Sequence, residues 1–255
     1  MTAGGVSQSE VSQSDVTTAW ERHAGWWQAH HTAGEDPEYE DQIIPLIVEQ
    51  CGNTHRILDL GCGEGQVARA LVAARSDREV IGLDIAHAQL LTAATRGGGL
   101  RLLRGDLTTL PFRSGSFDGA VACLVFDHVV DFERTLDEVT RVLTPGGIFV
   151  FLINHPLMQT PDSGWIDDQI LGEHYWRVGP YAVDRVWSEE IAPGVDFPFV
   201  HRPISRYINA MAARGLLVEE MLEPLPTPGF VAMATEYEEL VGIPRLLIMR
   251  LRRQP

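Results

Sequence analysis

The run Ile57-Leu58-Asp59-Leu60-Gly61-Cys62-Gly63-Glu64-Gly65 limits this chain more than any other stretch. A short apolar segment bounded by turn residues reads as a strand buried in a parallel sheet. Alternate glycines then permit a sharp turn and a close approach of backbone to ligand, with a helix from about Gln66. Such turns also exist for purely structural reasons, so the spacing has to decide. A dinucleotide-binding turn needs Gly or Ala three residues after its second glycine, but Gln66 stands there and the glycines read G-x-G-x-G, unlike a dehydrogenase. Asp84 closes the next β-branched segment, nineteen residues after Gly65. A carboxylate there accepts hydrogen bonds from both hydroxyls of a ribose. Its plainer role is to cap the helix that begins at Ala86.

From His55 onward β-branched runs alternate with amphipathic stretches, the pattern of a parallel sheet built from strand and helix units. Strands are predicted at Arg56 to Leu60, Val80 to Asp84, Leu100 to Arg104, Phe117 to Val125 and Gly147 to Ile153, with two more at Leu216 to Leu222 and Arg245 to Leu251. Phe132, Leu136, Val139 and Leu143 recur at helical spacing, which predicts a helix from Asp131 to Leu143, stopped by Pro145, Gly146 and Gly147. Pro203 to Arg214 reads as another, with proline in its first turn and Gly215 past its end. Ahead of the sheet, Val16 to His30 and Tyr39 to Cys51 read as helices, the first aligning Trp20, His23 and Trp27; Trp26 and Trp27 read as core or pocket wall. The stretch Asn154 to His201 breaks the alternation and reads as an insertion over the sheet edge, holding Trp165, Tyr175, Trp176, Tyr181 and Trp187.

Charge and composition exclude several classes. A net charge of −15 repels phosphate backbones, so no nucleic-acid partner is expected. All twenty basic residues are arginine, which removes Schiff-base enzymes and phosphate-loop NTPases. Apolar runs such as Ile148 to Ile153 are too short to cross a bilayer, so no membrane association is expected. Residues 1–15 lack a basic start and an apolar run, and read as a disordered tail of a cytoplasmic protein. Cys51, Cys62 and Cys123 form no metal-spaced pair, so neither disulfide nor metal site is expected.

These segments resemble the class I S-adenosylmethionine-dependent methyltransferases, in particular the small-molecule branch known as type 11. "ILDLGCGEG" is similar to that family's first motif, "VIGLDIAHAQL" to its ribose-binding strand end, "RGDLTTLPFRSGSFDGAVA" to its adenine-binding turn and fourth strand, and "EVTRVLTPGGIFVF" to its next helix and fifth strand. Together they cover about Ile57 to Ile153 in the family's order. The resemblance implies an α/β, Rossmann-like, seven-stranded, mostly parallel sheet with helices on both faces. It divides residues 16–255, a single domain, into an N-terminal helical lid (16–54), a cofactor-binding core (55–153), a substrate-cap insertion (154–201) and the C-terminal part of the sheet (202–255).

The resemblance also implies the cofactor S-adenosylmethionine, with S-adenosylhomocysteine as product. It makes Gly61, Cys62 and Gly63 a backbone cradle for the methionine part, with Asp59 supporting the turn. Asp84 is then the ribose ligand, Ile85 packs on adenine, Asp106 and Leu107 meet the adenine edge, and Leu124 sits beside the methionine moiety. Gln89 stands where many relatives carry Met, a departure that touches adenine packing, and Tyr39 is a candidate for the cofactor carboxylate. Asp106 also reads as a turn residue, and Tyr39 as packing for its helix.

Methyl transfer is an in-line displacement that chiefly requires positioning, with a base where the nucleophile carries a proton. His128 after the fourth strand and His155 after the fifth project from the cofactor edge, and are the candidate catalytic bases; structural roles compete for both. His174 and His201 lie in or beside the insertion. The insertion's aromatics, with Asp167, Asp168 and Glu173, suit an aromatic or amine-bearing acceptor or else a self-packed loop, and the sequence leaves both open. The expected activity is methylation of O, N or C of a small molecule. An RNA-modifying enzyme and a non-catalytic S-adenosylmethionine-binding module are the alternatives. The expected partners are a small-molecule substrate and, at most, a second copy of the chain as a homodimer.

Overall fold

β1 (Arg56–Leu60) lies inside the sheet because every residue after Arg56 is buried, and it pairs in parallel on both sides, with β2 (Glu79–Asp84) and later β4. In this computed structural model, which describes residues 11–32, 35–233 and 242–255, the chain continues to β3 (Arg101–Arg104), β4 (Phe117–Cys123) and β5 (Leu143–Asn154). Two hairpins follow, β6 (Gly164–Asp168) with β7 (Glu173–Arg177), and β8 (Arg185–Ala192) with β9 (Val195–His201). The last strands are β10 (Leu216–Leu222) and β11 (Leu246–Arg253). The seven-stranded sheet has the order β10-β11-β5-β4-β1-β2-β3, with β11 antiparallel to both its neighbours and the remaining pairs parallel.

The period of two along each strand divides the core between two faces. Leu58, Leu60, Ala120, Phe149, Phe151 and Met249 pack against α5 (Phe132–Val142) and α6 (Ile204–Ala212). Ile57, Val80, Val121, Val150 and Ile248 pack against α2 (Ile44–Cys51) and α3 (Gln66–Ala74). Burying each such side chain stabilises by roughly 1.5–3 kcal/mol. A one-residue slip would exchange the two faces, so the register is held by packing.

Differences from the sequence reading have physical causes. β5 begins at Leu143 because Leu143 pairs with Phe117 before the chain bulges through Pro145 and Gly146 and resumes pairing at Ile148 with Gly119. The expected helix Tyr39 to Cys51 opens with a wide π-turn, Tyr39–Ile43, before α2. Pro45 has no N–H to continue the regular ladder, which favours such a widening. α1 (Gln13–His31) starts earlier than Val16, since Ser12 caps it and Asp15 reaches back to the Ser12 amide at 2.8 Å. Residues 13–15 are therefore helical, a correction to the expected tail, whose residues 1–10 lie outside the described residues. Among the described residues no helix is long and apolar enough to cross a membrane.

α1 lies over the carboxyl ends of the strands and docks on α4 (His87–Arg96) through a ladder of polar contacts. Glu21 accepts from the His87 amide at 2.6 Å, Gln28 bonds Gln89 at 2.8 Å and Thr92 at 3.2 Å, and Arg96 donates to Thr32 at 2.8 Å. Its other side meets β9, where Trp20, His23 and Trp27 surround Phe197, the alignment expected of that helix. The polar ladder and the aromatic contacts together fix the roof of the site described next.

Candidate active site

One cavity of about 990 Å³, solvent mouth included, opens between the carboxyl ends of the strands and α1. Its lining includes Tyr39, Asp59, Gly61, Cys62, Gly63, Asp84, Ile85, Gln89, Asp106, Leu107, Leu124 and His128. The floor is the glycine turn, where Gly61 and Cys62 donate their amides to the Leu83 carbonyl at 2.8 and 3.0 Å, tying the turn to β2. Gly61 and Gly63 adopt φ of +66° and +53°. A Cβ on Gly61 would stand 2.6 Å from Val125 Cγ2, whereas one on Gly63 would meet nothing within 4 Å. Gly61 is thus required by packing, and Gly63 keeps open the space above the turn.

Asp84 joins two loops: one oxygen accepts from the Gly63 amide and the other from the Ala86 amide, both at 2.8 Å. The capping role and the ligand role are therefore compatible, because each carboxylate oxygen has a second lone pair. Burial pushes the Asp84 carboxyl up to about 6, opposed by the Ala86, Gly63 and Ile85 amides. Asp59 is buried more deeply, and its Oδ2 has no partner. Burial, then the Asp84 charge, pushes its carboxyl up to about 7 against the Ala68 amide. Asp106 folds its own turn, with Oδ1 accepting from the Thr108 amide and hydroxyl, both at 2.8 Å. Tyr39 shares a hydrogen bond with the Cys123 thiol, and burial raises its hydroxyl well above the ordinary value. Leu124 has a φ of +54°, a costly conformation for a leucine, held by the hydrogen bond its N–H donates to the Leu152 carbonyl at 2.8 Å.

The methyltransferase-domain family matches residues 58–151, the segment that builds this floor. An S-adenosylmethionine-dependent methyltransferase from Mesorhizobium loti is 31% identical, with a TM-score of 0.69 over 85% of this chain and 97% of that one. The chain belongs to the class I S-adenosylmethionine-dependent methyltransferases. Demethylmenaquinone methyltransferase of Thermus thermophilus is 36% identical over 123 residues, 47% of this chain and 55% of that protein. The 24-methylenesterol C-methyltransferase 2 of Oryza sativa is 33% identical over 141 residues, 49% of this chain and 38% of that protein. The chain thus spans about half the length of the curated relatives it matches.

S-adenosylmethionine is the cofactor of the family, and the cavity of this methyltransferase fits it on two structural grounds. The Asp59 oxygen without a partner is an acceptor for an ammonium, and the empty volume above Gly63 leaves room for a chain laid on the turn. Gln89, where relatives carry Met, is explained by its bond to Gln28 of the roof. Sequence reasoning missed Val16 and Trp20 as lining residues. It also missed Glu64, which is buried and holds Arg69 at 2.6 Å and Arg96 at 2.8 Å. Val16 and Trp20 are brought to the site by long-range packing of α1, whereas Glu64 stands inside the first motif and only its arginine partners lie outside it.

The two candidate bases part company. His128 lines the cavity, with Nδ1 2.6 Å from the Pro198 carbonyl, and burial lowers its imidazole to about 4. His155 does not line the cavity: Nε2 meets Glu223 Oε1 at 2.9 Å, Nδ1 accepts from the Leu157 amide at 3.1 Å, and its own amide bonds the Arg245 carbonyl. The antiparallel pairing of β5 with β11 continues through the His155 amide to the Arg245 carbonyl, and the ring is seated against Glu223 and Leu157 rather than in the cavity. His155→Ala is accordingly expected to lower stability by about 1–2 kcal/mol, through the lost Glu223 and Leu157 contacts, and to leave S-adenosylhomocysteine affinity unchanged. Thermal melting and calorimetry on the variant check both.

The insertion's aromatics also lie outside the cavity. Trp165 stacks on His174 at 4.9 Å and packs edge-on against Trp176, Trp187 stacks on Phe199, and the Tyr181 hydroxyl accepts from the Ile204 amide. Asp167, Asp168 and Glu173 sit on the β6–β7 hairpin, and none of them lines the cavity. The nearer contribution comes from β9, whose Phe197 and Phe199 buttress Trp20 and His128.

Proposed function

We propose that this protein transfers a methyl group from S-adenosylmethionine to a hydroxyl, amine or carbon of a small molecule, in the cytoplasm. The observation that carries the reading is the single cavity joining the glycine turn, Asp84 and Asp106 to a wall of Trp20, Trp27 and His128. The names of the relatives, which specify a menaquinone precursor and a sterol, support a small acceptor.

When bound, the cofactor supplies a methyl group activated by sulfonium. The chain's own part is to hold, orient and enclose. Asp59 accepts the amino group with its spare oxygen, and Gly61, Cys62 and Gly63 present backbone to the methionine part. Asp84 receives the ribose hydroxyls on its second lone pairs, Ile85 and Gln89 flank the base, and Asp106 and Leu107 meet its edge. Tyr39 faces the carboxylate, and Leu124 packs beside the methionine moiety. His128 stands on the acceptor side. The acidic surface argues against an RNA substrate.

Calorimetry with S-adenosylhomocysteine tests the cofactor site, and methyl-labelled cofactor incubated with a metabolite extract tests transfer. Binding followed by label in an organic-soluble small molecule is expected. Failure to bind overturns the reading, and binding without transfer across many extracts favours a non-catalytic module.

A further inference from the structure

The strand order splits the cavity into two chemically different halves. Asp59 lies on β1, and Glu64, Asp84 and Asp106 stand at or beyond the ends of β1, β2 and β3, so the lining carboxylates gather on one side of the sheet. Beyond β4, on the other side, the lining is Val125, His128, Val129 and Thr135, roofed by Gln13, Val16, Trp20 and Trp27 of α1. Among the described residues this half has no lining carboxylate and no lining arginine.

Three polar side chains line that half: Gln13, Thr135, whose hydroxyl donates to the Asp131 carbonyl at 3.0 Å, and His128, whose surroundings fix its hydrogen-bonding character. The carbonyl of Pro198, 2.6 Å away, accepts only, so Nδ1 carries the hydrogen and Nε2 is left with the lone pair. The edge of Trp20 at 5.0 Å and the rings of Phe199 at 4.7 Å and Phe197 at 6.3 Å hold the imidazole in place. This aromatic surround disfavours the imidazolium, in keeping with the lowered value near 4. The group is therefore a fixed, neutral acceptor in an apolar wall. An anionic ligand would meet its lone pair unfavourably. A cationic one would lose its hydration without gaining a counter-charge.

We propose that this half binds an uncharged, planar acceptor bearing a phenolic or enolic hydroxyl, and that the hydroxyl donates its hydrogen bond to His128 Nε2. The proposal rests on the methyltransferase reading and narrows it from any small nucleophile to one class. The ring would lie among Trp20, Trp27 and Val129, with its oxygen oriented by the histidine toward the cofactor half. Here His128 is an acceptor-binding residue, whose effect should fall on the choice of ligand and not on cofactor affinity.

The test uses the full chain saturated with S-adenosylhomocysteine and three probes of one shape: 2-naphthol, naphthalene and 2-naphthylmethylammonium. Calorimetry is expected to give 2-naphthol at least about a tenfold advantage over each of the others, the range of one buried hydrogen bond. His128→Phe is expected to erase that advantage and to leave S-adenosylhomocysteine affinity unchanged. Nitrogen NMR of the histidines in wild-type protein is expected to find His128 with its hydrogen on Nδ1, and to find the Nε2 signal moving when 2-naphthol is added. Equal binding of naphthol and naphthalene, preference for the ammonium, or a hydrogen on Nε2 would overturn the proposal, whether or not the variant folds. A protein that fails to take up S-adenosylhomocysteine sinks the methyltransferase reading first and this one with it; one that takes it up but shows no naphthol preference sinks only this one.

Discussion

Gly63→Ala is expected to weaken S-adenosylhomocysteine binding by about a hundredfold, roughly 2.7 kcal/mol, while the protein still folds. The added methyl would point into space with no protein atom beyond its chain neighbours within 4 Å, beside residues that all line the cavity, so what it displaces is ligand. The backbone cost is that of a non-glycine residue at a φ of +53°, about 1–2 kcal/mol, which lowers the melting temperature by roughly 2–8 °C. The Gly63 amide survives the change, so its bond to Asp84 persists and the turn keeps its tie to the next loop. Gly61→Ala is the contrasting case, because its methyl would strike Val125 Cγ2 at 2.6 Å and lose stability and binding together. Melting curves and calorimetry on the two variants separate a ligand clash from a packing clash. Unchanged affinity in Gly63→Ala would show that no ligand lies over the turn.

The features legible in the sequence were those set by local patterning. The apolar run into G-x-G-x-G gave β1 and its turn without error, and Leu216 to Leu222 was equally clear because Gly215 separates it from the helix before. The cofactor-side residues came through the resemblance, and all of them line one cavity. What stayed hidden depends on partners far along the chain. Strand β8 buries none of its residues, and Pro198 interrupts the mostly buried run Val195 to His201 of β9, so nothing local marked Phe197 and Phe199 as the wall behind His128. The bonds of Gln28 to Gln89 and of Arg96 to Thr32 tie positions more than sixty residues apart, and neither end is unusual in its own surroundings. His155 shows the same limit from the other side. Its place after a strand suggested the cofactor edge, but the side chain is held by Glu223, a residue sixty-eight positions on, and does not line the cavity.

Asp59→Asn is expected to stabilise the ligand-free protein and to weaken its grip on ligand. The carboxyl is pushed up to about 7 by burial and by the charge of Asp84, from an ordinary value of 3.8. Between those two values the folded chain holds more proton than the unfolded chain, so stability falls as pH rises. The stability is complete below 3.8, is lost as pH rises through about 7, and changes no further above that. Asparagine carries no charge to bury. The variant should therefore melt above wild type at pH 8, by an amount on the order of 3 kcal/mol or roughly 6–12 °C, and the gap should shrink toward pH 5. Ligand reverses the balance. An ammonium beside the unpartnered Oδ2 favours the ionised carboxylate, so S-adenosylhomocysteine binding to wild type at pH 7 should expel part of a proton, visible as a dependence of binding heat on the buffer's ionisation enthalpy. The variant should show a smaller dependence, the remainder belonging to Asp84, and its affinity should fall about tenfold to a hundredfold, the range of one charge-assisted hydrogen bond. A gap that stays flat with pH would remove the buried charge from the account. Undiminished affinity in the variant would assign the amino group to another partner. If both effects appear, the strain of keeping Asp59 ionised in the empty cavity is the reserve that a cationic ligand releases on binding.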